Sequence, residues 1–191
     1  MARALAAIDA ANAEDPQRIR VRGKERAKEQ AHAELMSEWV EKLRPDASQA
    51  LQLAARAHHV RRWEIPRASY PEGRRGYLEW RVALRDHHAS VTAAILERAG
   101  YDAESIDRVR SILRKRGLGK DPEVQVFEDA LCLVFLETQL ADFSLRYAEK
   151  LEGVARKTLR KMSDAGIAQA LELPLSEGAR ALLSRIYSES H

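Results

Sequence analysis

The chain has a single cysteine, Cys132, in 191 residues. No internal disulfide can form, and this usage is expected of a reducing compartment, here the cytoplasm. Cys132 lies within the apolar run EDALCLVFLE, where a thiol is expected to be a buried small hydrophobe. No apolar stretch is long enough to span a bilayer, and the N-terminal MARALAAIDAANAEDPQ lacks the basic-then-apolar layout of a signal peptide. No membrane partner is therefore expected. The sequence also lacks internal repeats, low-complexity tracts and any convincing sheet pattern. Excess charge of one sign is scarce as well. The 32 basic residues face 29 acidic ones, so a net charge of +3 and a pI near 9.1 are weak grounds for nucleic-acid binding.

What is present is one helix after another. Helical spacing of apolar positions covers 2–13, 25–44, 46–62 and 77–99, then a stretch from Asp102 or Asp107 to Gly117. It continues over 122–147, 149–162, 164–172 and 176–189. QRIRVRG alternates and reads as a brief extended piece or an ordered loop. Asp121-Pro122 is a strong start signal, an N-cap aspartate followed by proline at the first helical position. The helix it opens carries Leu131, Leu133, Val134, Phe135 and Leu136, which leaves little room for a solvent face and marks a central helix. Residues 63–76 hold Pro66, Pro71, Gly73 and Gly76 and are expected to form a defined loop. The tail Glu189-Ser190-His191 is expected to fray. The fold class that follows is all-α: a single helical domain over 1–191, with 163–191 as a C-terminal helical extension.

Chemistry-bearing residues fall on faces expected to point inward. His32 shares a stripe with Leu35, Met36 and Trp39. His58 and His59 close the third helix, His58 on its apolar stripe and His59 nearly opposite. His87 and His88 lie midway along the fourth, and Glu128 and Asp129 on the most apolar helix. A buried carboxylate is costly unless paired or bound to a metal, and neutral imidazole is the commonest metal ligand. Taken singly, such residues are more often core histidines bonded to carbonyls, or acids paired with arginine. Taken together, His32, His58, His59, His88 and Asp129 form a candidate metal set. Glu128 is an alternative to Asp129, and His88 and Glu128 are the candidate catalytic groups.

A second constellation starts where the third helix ends. Arg61, Arg62, Arg67, Arg74 and Arg81 are interleaved with Trp63, Tyr70, Tyr77 and Trp80 between the third and fourth helices. Lys115-Arg116 follow a later helix and either bind phosphate or cap that helix. Guanidinium groups suit phosphate because their planar fork makes paired, charge-assisted hydrogen bonds. The aromatics either stack on a base or fill the loop's own small core. Candidate substrate contacts are therefore Arg61, Arg62, Trp63, Arg67, Tyr70, Arg74, Tyr77, Arg81, Lys115 and Arg116.

The order His32, His58-His59, His88, Asp129 resembles the HD superfamily of metal-dependent phosphohydrolases, all-helical proteins with a His, a His-Asp dyad and a distant Asp. The chain departs from that pattern at His59, which stands where the dyad has its aspartate. The runs HVRRWEIPR from His59, YPEGRRGYLEWR from Tyr70, KRGL from Lys115, DPEVQ from Asp121 and EDALCLVFLE from Glu128 resemble a family known as domain of unknown function 4202. That likeness covers roughly residues 5–185 and implies no activity. The HD resemblance implies an HD-like helix bundle that hydrolyses a nucleotide or small phosphorylated substrate. It also implies a divalent ion, for which a His-rich set with one acid suits Mn, Fe, Co or Ni better than Mg. Two alternatives stand beside it. One is a non-catalytic RNA- or nucleotide-binding module using the arginine-rich loop. The other is an HD-type di-iron oxygenase recruiting His87, His88 and Glu137. Oligomeric state is open.

Overall fold

The computed structural model describes residues 1–189, so Ser190 and His191 of the tail lie outside the described residues. Among the described residues there are ten α-helices and one two-stranded sheet. Helix α1 spans Ala2–Ala13, strands β1 and β2 span Arg18–Val21 and Lys24–Ala27, and α2 spans Lys28–Leu43. Helix α3 covers Gln49–Ala57 and α4 Gly73–Ala99, with single 3-10 turns at Arg62–Glu64 and Arg67–Ser69 between them. Then come α5 (Ala103–Leu113), α6 (Pro122–Thr138), α7 (Leu140–Arg146), α8 (Ala148–Leu159), α9 (Asp164–Leu171) and α10 (Glu177–Ser188). No described helix is long and apolar enough to cross a membrane.

The expected absence of a sheet needs correction. Residues 25–27, expected to open the second helix, belong with Lys24 to a strand that pairs antiparallel with 18–21 instead. Arg22 and Gly23 both take positive φ at the turn, as a two-residue hairpin of the right twist requires. Asp15 then fixes where α2 begins. Its buried carboxylate accepts from the backbone N–H groups of Gln17 and Glu29, both at 2.9 Å.

Helix α3 is shorter than expected. Ser48 caps it by accepting from Leu51 N–H, two residues later than the expected start at 46. Its end tightens into i→i+3 turns, with His58 N–H donating to Ala55 and Val60 N–H to Ala57. The fourth helix starts earlier than expected, at Gly73. Gly76 allows this, because a Cβ there would sit 2.0 Å from the Pro71 carbonyl oxygen. Asp102 and Asp121 cap α5 and α6.

Helix α6 is central. Val124, Phe127, Ala130 and Val134 join a first core built with α1–α5. Cys132, Leu133 and Leu136 join a second core with α7–α10. Trp39 and Leu43 of α2 pack against both. A helix serving two cores has no solvent stripe, which explains its nearly unbroken apolar sequence. The expected helix over 122–147 divides at Gln139. Thr138 Oγ1 donates to the Val134 carbonyl at 2.6 Å, a back-bond of the kind that bends helices.

Candidate metal centre and cationic cleft

The tightened end of α3 carries His58 and His59 to the same side, with ring centroids 4.2 Å apart. The opposition expected from ideal helix geometry does not hold here, because these residues lie past the last helical one. His88 reaches the same place from α4, 5.5 Å from the His59 ring. His58 and His88 are buried and fixed alike. His58 Nδ1 lies 3.1 Å from the Ala55 carbonyl oxygen, and His88 Nδ1 lies 2.9 Å from that of Val60. A carbonyl oxygen only accepts, so in each ring Nδ1 bears the proton and Nε2 the lone pair. Both Nε2 atoms are buried without a hydrogen-bond partner. Burial, helped by neighbouring charges, drives His58 well below its ordinary pKa and His88 down to about 3, so both are neutral at pH 7. A neutral ring with Nδ1–H on a carbonyl and a bare Nε2 is the usual preparation of a histidine for metal.

The acid at this site is one the sequence did not single out. Glu29, in the first turn of α2, is 3% exposed. Its Oε2 lies 3.1 Å from His59 Nδ1 and 3.4 Å from His32 Nδ1, and its Oε1 lies 3.9 Å from Arg62 Nε. Burial alone would raise its pKa. The His59 and His32 rings outweigh that and hold the carboxyl well below the usual range. An ionised carboxylate accepts the Nδ1 proton of His59, which leaves that ring's lone pair on Nε2. Burial pushes His59 down to about 3 against the pull of Glu29. One ligand atom from each of Glu29, His58 and His59 falls within 4.8 Å of the others. That donor set, with His88 alongside, fits a borderline transition ion. A signal for Glu29 did exist: it is three residues before His32, on the same helical face.

Asp129 does not join this group. Its Oδ1 accepts from Ser163 N–H at 2.9 Å and Gln125 Nε2 at 3.0 Å, and its Oδ2 accepts from Ser163 Oγ at 2.6 Å. It anchors the start of α9, with Gly166 so close that a Cβ would meet its Cγ at 2.8 Å. One residue along, Glu128 turns the other way, as the 100° step of a helix demands. It is 2% exposed and ion-paired with Lys115, with Lys161 Nζ at 3.7 Å. Glu137 accepts from Trp39 Nε1 and Arg22, and His87 Nε2 lies 3.1 Å from the Arg61 carbonyl oxygen. Glu137 stays outside the histidine group, and the His87 ring touches its edge, 5.8 Å from the His88 ring.

A cleft of about 470 Å³ opens beside the histidines. His32, His58 and His59 form one part of the lining; Lys157 and Thr158 of α8, with Lys161 just past its end, form another. Arg62, Arg81 and Lys115 lie between, with Glu128 as the sole acid among the described lining residues. Lys115 takes a left-handed backbone at φ 57° as the residue that closes α5, its N–H donating to the Ile112 carbonyl and that of Arg116 to Ser111. Burial lowers its pKa against the pull of Glu128. Of the expected substrate contacts, Arg62, Tyr77, Arg81 and Lys115 line the cleft. Arg61, Trp63, Arg67, Tyr70, Arg74 and Arg116 do not. Arg61 pairs with Glu14 and Glu64, and Arg67 donates to the Tyr70 and Pro71 carbonyls. Trp80 serves the loop itself, donating Nε1–H to the Ile65 carbonyl beneath the Arg62 guanidinium. Lys157 and Lys161 escaped sequence reading because exposed cations on an amphipathic helix look like ordinary solvent decoration.

No curated protein and no solved structure matches the chain. The model of one family, described as a domain of unknown function (DUF4202), matches residues 2–183, and the chain belongs to that family.

Proposed function

We propose that the protein is a metal-dependent phosphohydrolase acting on a nucleotide or another small phosphorylated compound. One juxtaposition carries the reading. Buried neutral imidazoles with unpartnered Nε2 atoms stand beside a cleft where five cations face one paired carboxylate. Lone pairs call for a cation, and the cleft beyond calls for an anion. A divalent ion held by Glu29, His58, His59 and His88 would polarise a phosphoryl oxygen and acidify a water it holds. Arg62 and Arg81 are placed to neutralise charge that builds on the phosphoryl oxygens. Lys115 is placed to contact the same group, with Glu128 orienting its ammonium. Asp129 belongs to the α9 anchor in this reading, and Glu29 takes the role of the acidic ligand.

The reading also favours this cleft over the arginine-rich loop as the binding surface, since Arg61 and Arg67 are bonded internally. The test is a screen of phosphorylated substrates with protein reloaded with Mn, Fe, Co or Ni. Release of phosphate or of an alcohol, abolished by His58→Ala with the helical content intact, is the expected result. Oxygen consumption by iron-loaded protein without hydrolysis would instead favour an oxygenase. Inertness with every ion would overturn the reading.

A further inference from the structure

The histidine cleft adjoins a second cavity of about 620 Å³. The two share His32, Phe135 and Gln139 in their walls, so they lie side by side, and a strand laid across these residues would run through both as the two halves of one trench. The break at Gln139 makes this possible by turning α7 aside and opening a groove against the β1–β2 hairpin. Arg18, Arg20 and Lys28 line this second half, and no described lining residue there is acidic. Basic and acidic residues are nearly balanced in the chain, 32 to 29, so the segregation of charge along the trench does not come from composition.

The cations of this half, Arg18 and Arg20 of the hairpin and Lys28 at the start of α2, have only weak internal partners. Arg18 lies 4.0 Å from Glu25, Arg20 donates to the Gly23 carbonyl, and Lys28 donates to the Gln17 side chain. Aromatic rings stand at both ends. Tyr77 is 44% exposed in the first half. Phe143 and Tyr147 form a pair 5.3 Å apart in the second, with Tyr147 45% exposed. Cations along a groove with exposed rings at intervals are what single-stranded nucleic acid requires, phosphates on the cations and bases on the rings. A lone phosphomonoester would occupy one half and leave the hairpin cations without a role.

We infer that the trench holds a single-stranded oligonucleotide, with one phosphate at the histidines and further nucleotides along the hairpin half. As a substrate assignment this rests on the hydrolase reading; as a binding surface it does not. In the hydrolytic step a water oxygen bonds to phosphorus, the bond from phosphorus to the ribose oxygen breaks, and that oxygen takes a proton. Water is the only co-reactant.

The test is anisotropy titration of chelator-treated, full-length protein with a labelled five-nucleotide RNA and the matching DNA, and with a mononucleotide as competitor. Either strand should bind at least about tenfold tighter than the mononucleotide, with log K falling by about 0.7 per phosphate contact per decade of salt. Arg20→Glu with Lys28→Glu should weaken strand binding about tenfold and leave mononucleotide competition unchanged. Tyr147→Ala, which spares the hairpin, should weaken it several-fold. Arg75→Glu with Arg98→Glu, the same charge change outside the trench, should change neither by more than about twofold. Equal affinity for strand and mononucleotide, or equal losses in the trench and control pairs, would overturn the inference. Binding is read without metal, so strand binding by a catalytically inert protein would sink the hydrolase reading alone. Hydrolysis of mononucleotides without strand binding would sink the oligonucleotide assignment alone.

Discussion

The two walls of the cleft hold their polar groups in opposite ways. On the wall built by α2, α3 and α4, the key polar atoms are pinned. His58 and His88 are bonded to carbonyls, His59 to Glu29, and Glu29's own N–H to Asp15. On the α8 wall Lys157, in the last turn of the helix, and Lys161, two residues past its end, stand exposed, and Lys161 reaches Glu128 only at 3.7 Å. The first wall suits a small ion that demands fixed distances, because buried, hydrogen-bonded rings do not reorganise. The second suits a ligand that arrives and leaves, because flexible ammonium groups adapt to it. Geometry is concentrated where the ion would sit and charge where the substrate would sit.

The contrast can be broken most severely at Glu29. Glu29→Gln removes the charge that faces His59, His32 and Arg62. Activity should fall by at least about a hundredfold, since loss of a ligand or its outer support costs about 10–100-fold in metal affinity or activity even for outer partners. Steady-state kinetics at fixed metal concentration checks this.

Acid should attack the first wall and spare the second. His58, His59 and His88 have folded pKa values depressed below the unfolded value of about 6.5. The unfolded chain therefore binds more protons between about pH 6.5 and pH 3. Stability should be full above about pH 6.5 and should be lost as the pH falls towards 3, by up to about 1.4 kcal/mol per pH unit for each fully buried ring. Urea unfolding of metal-free protein across that range measures the slope, and His88→Gln should reduce it.

The lysine wall should respond differently. Lys157→Ala with Lys161→Ala should raise KM about tenfold, leave kcat within about twofold, and leave metal content unchanged. A fall in kcat with KM unchanged would mean that these lysines act on the chemistry instead. The smallest effect is expected at Asp129. Asp129→Asn should keep metal and activity but cost about 1–2 kcal/mol in urea unfolding, the usual range for a lost helix-end anchor.

The meeting of the histidines was largely legible in the sequence, because His32, His58 and His88 fall on apolar stripes. His59 stood in the same candidate set, but only the tightened end of α3 explains how it turns inward. The choice between Glu128 and Asp129 was not legible. On a helix buried all round, both directions lead to a core, and one places the acid at the cleft while the other places it at α9. Glu29 was hidden by the hairpin. With residues 25–27 read as helix, the first turn of α2 and its Asp15 cap disappeared from view. The α8 wall was hidden for a different reason: Lys157 and Lys161 gain meaning only from what faces them.

The most direct test is elemental analysis of protein purified without a metal-affinity tag, beside Glu29→Gln and Asp129→Asn. A near-stoichiometric transition metal in the parent and in Asp129→Asn, lost from Glu29→Gln, is the predicted result. Metal retained by Glu29→Gln but lost from Asp129→Asn, or absent from the parent even after reconstitution, would contradict the assignment of the centre.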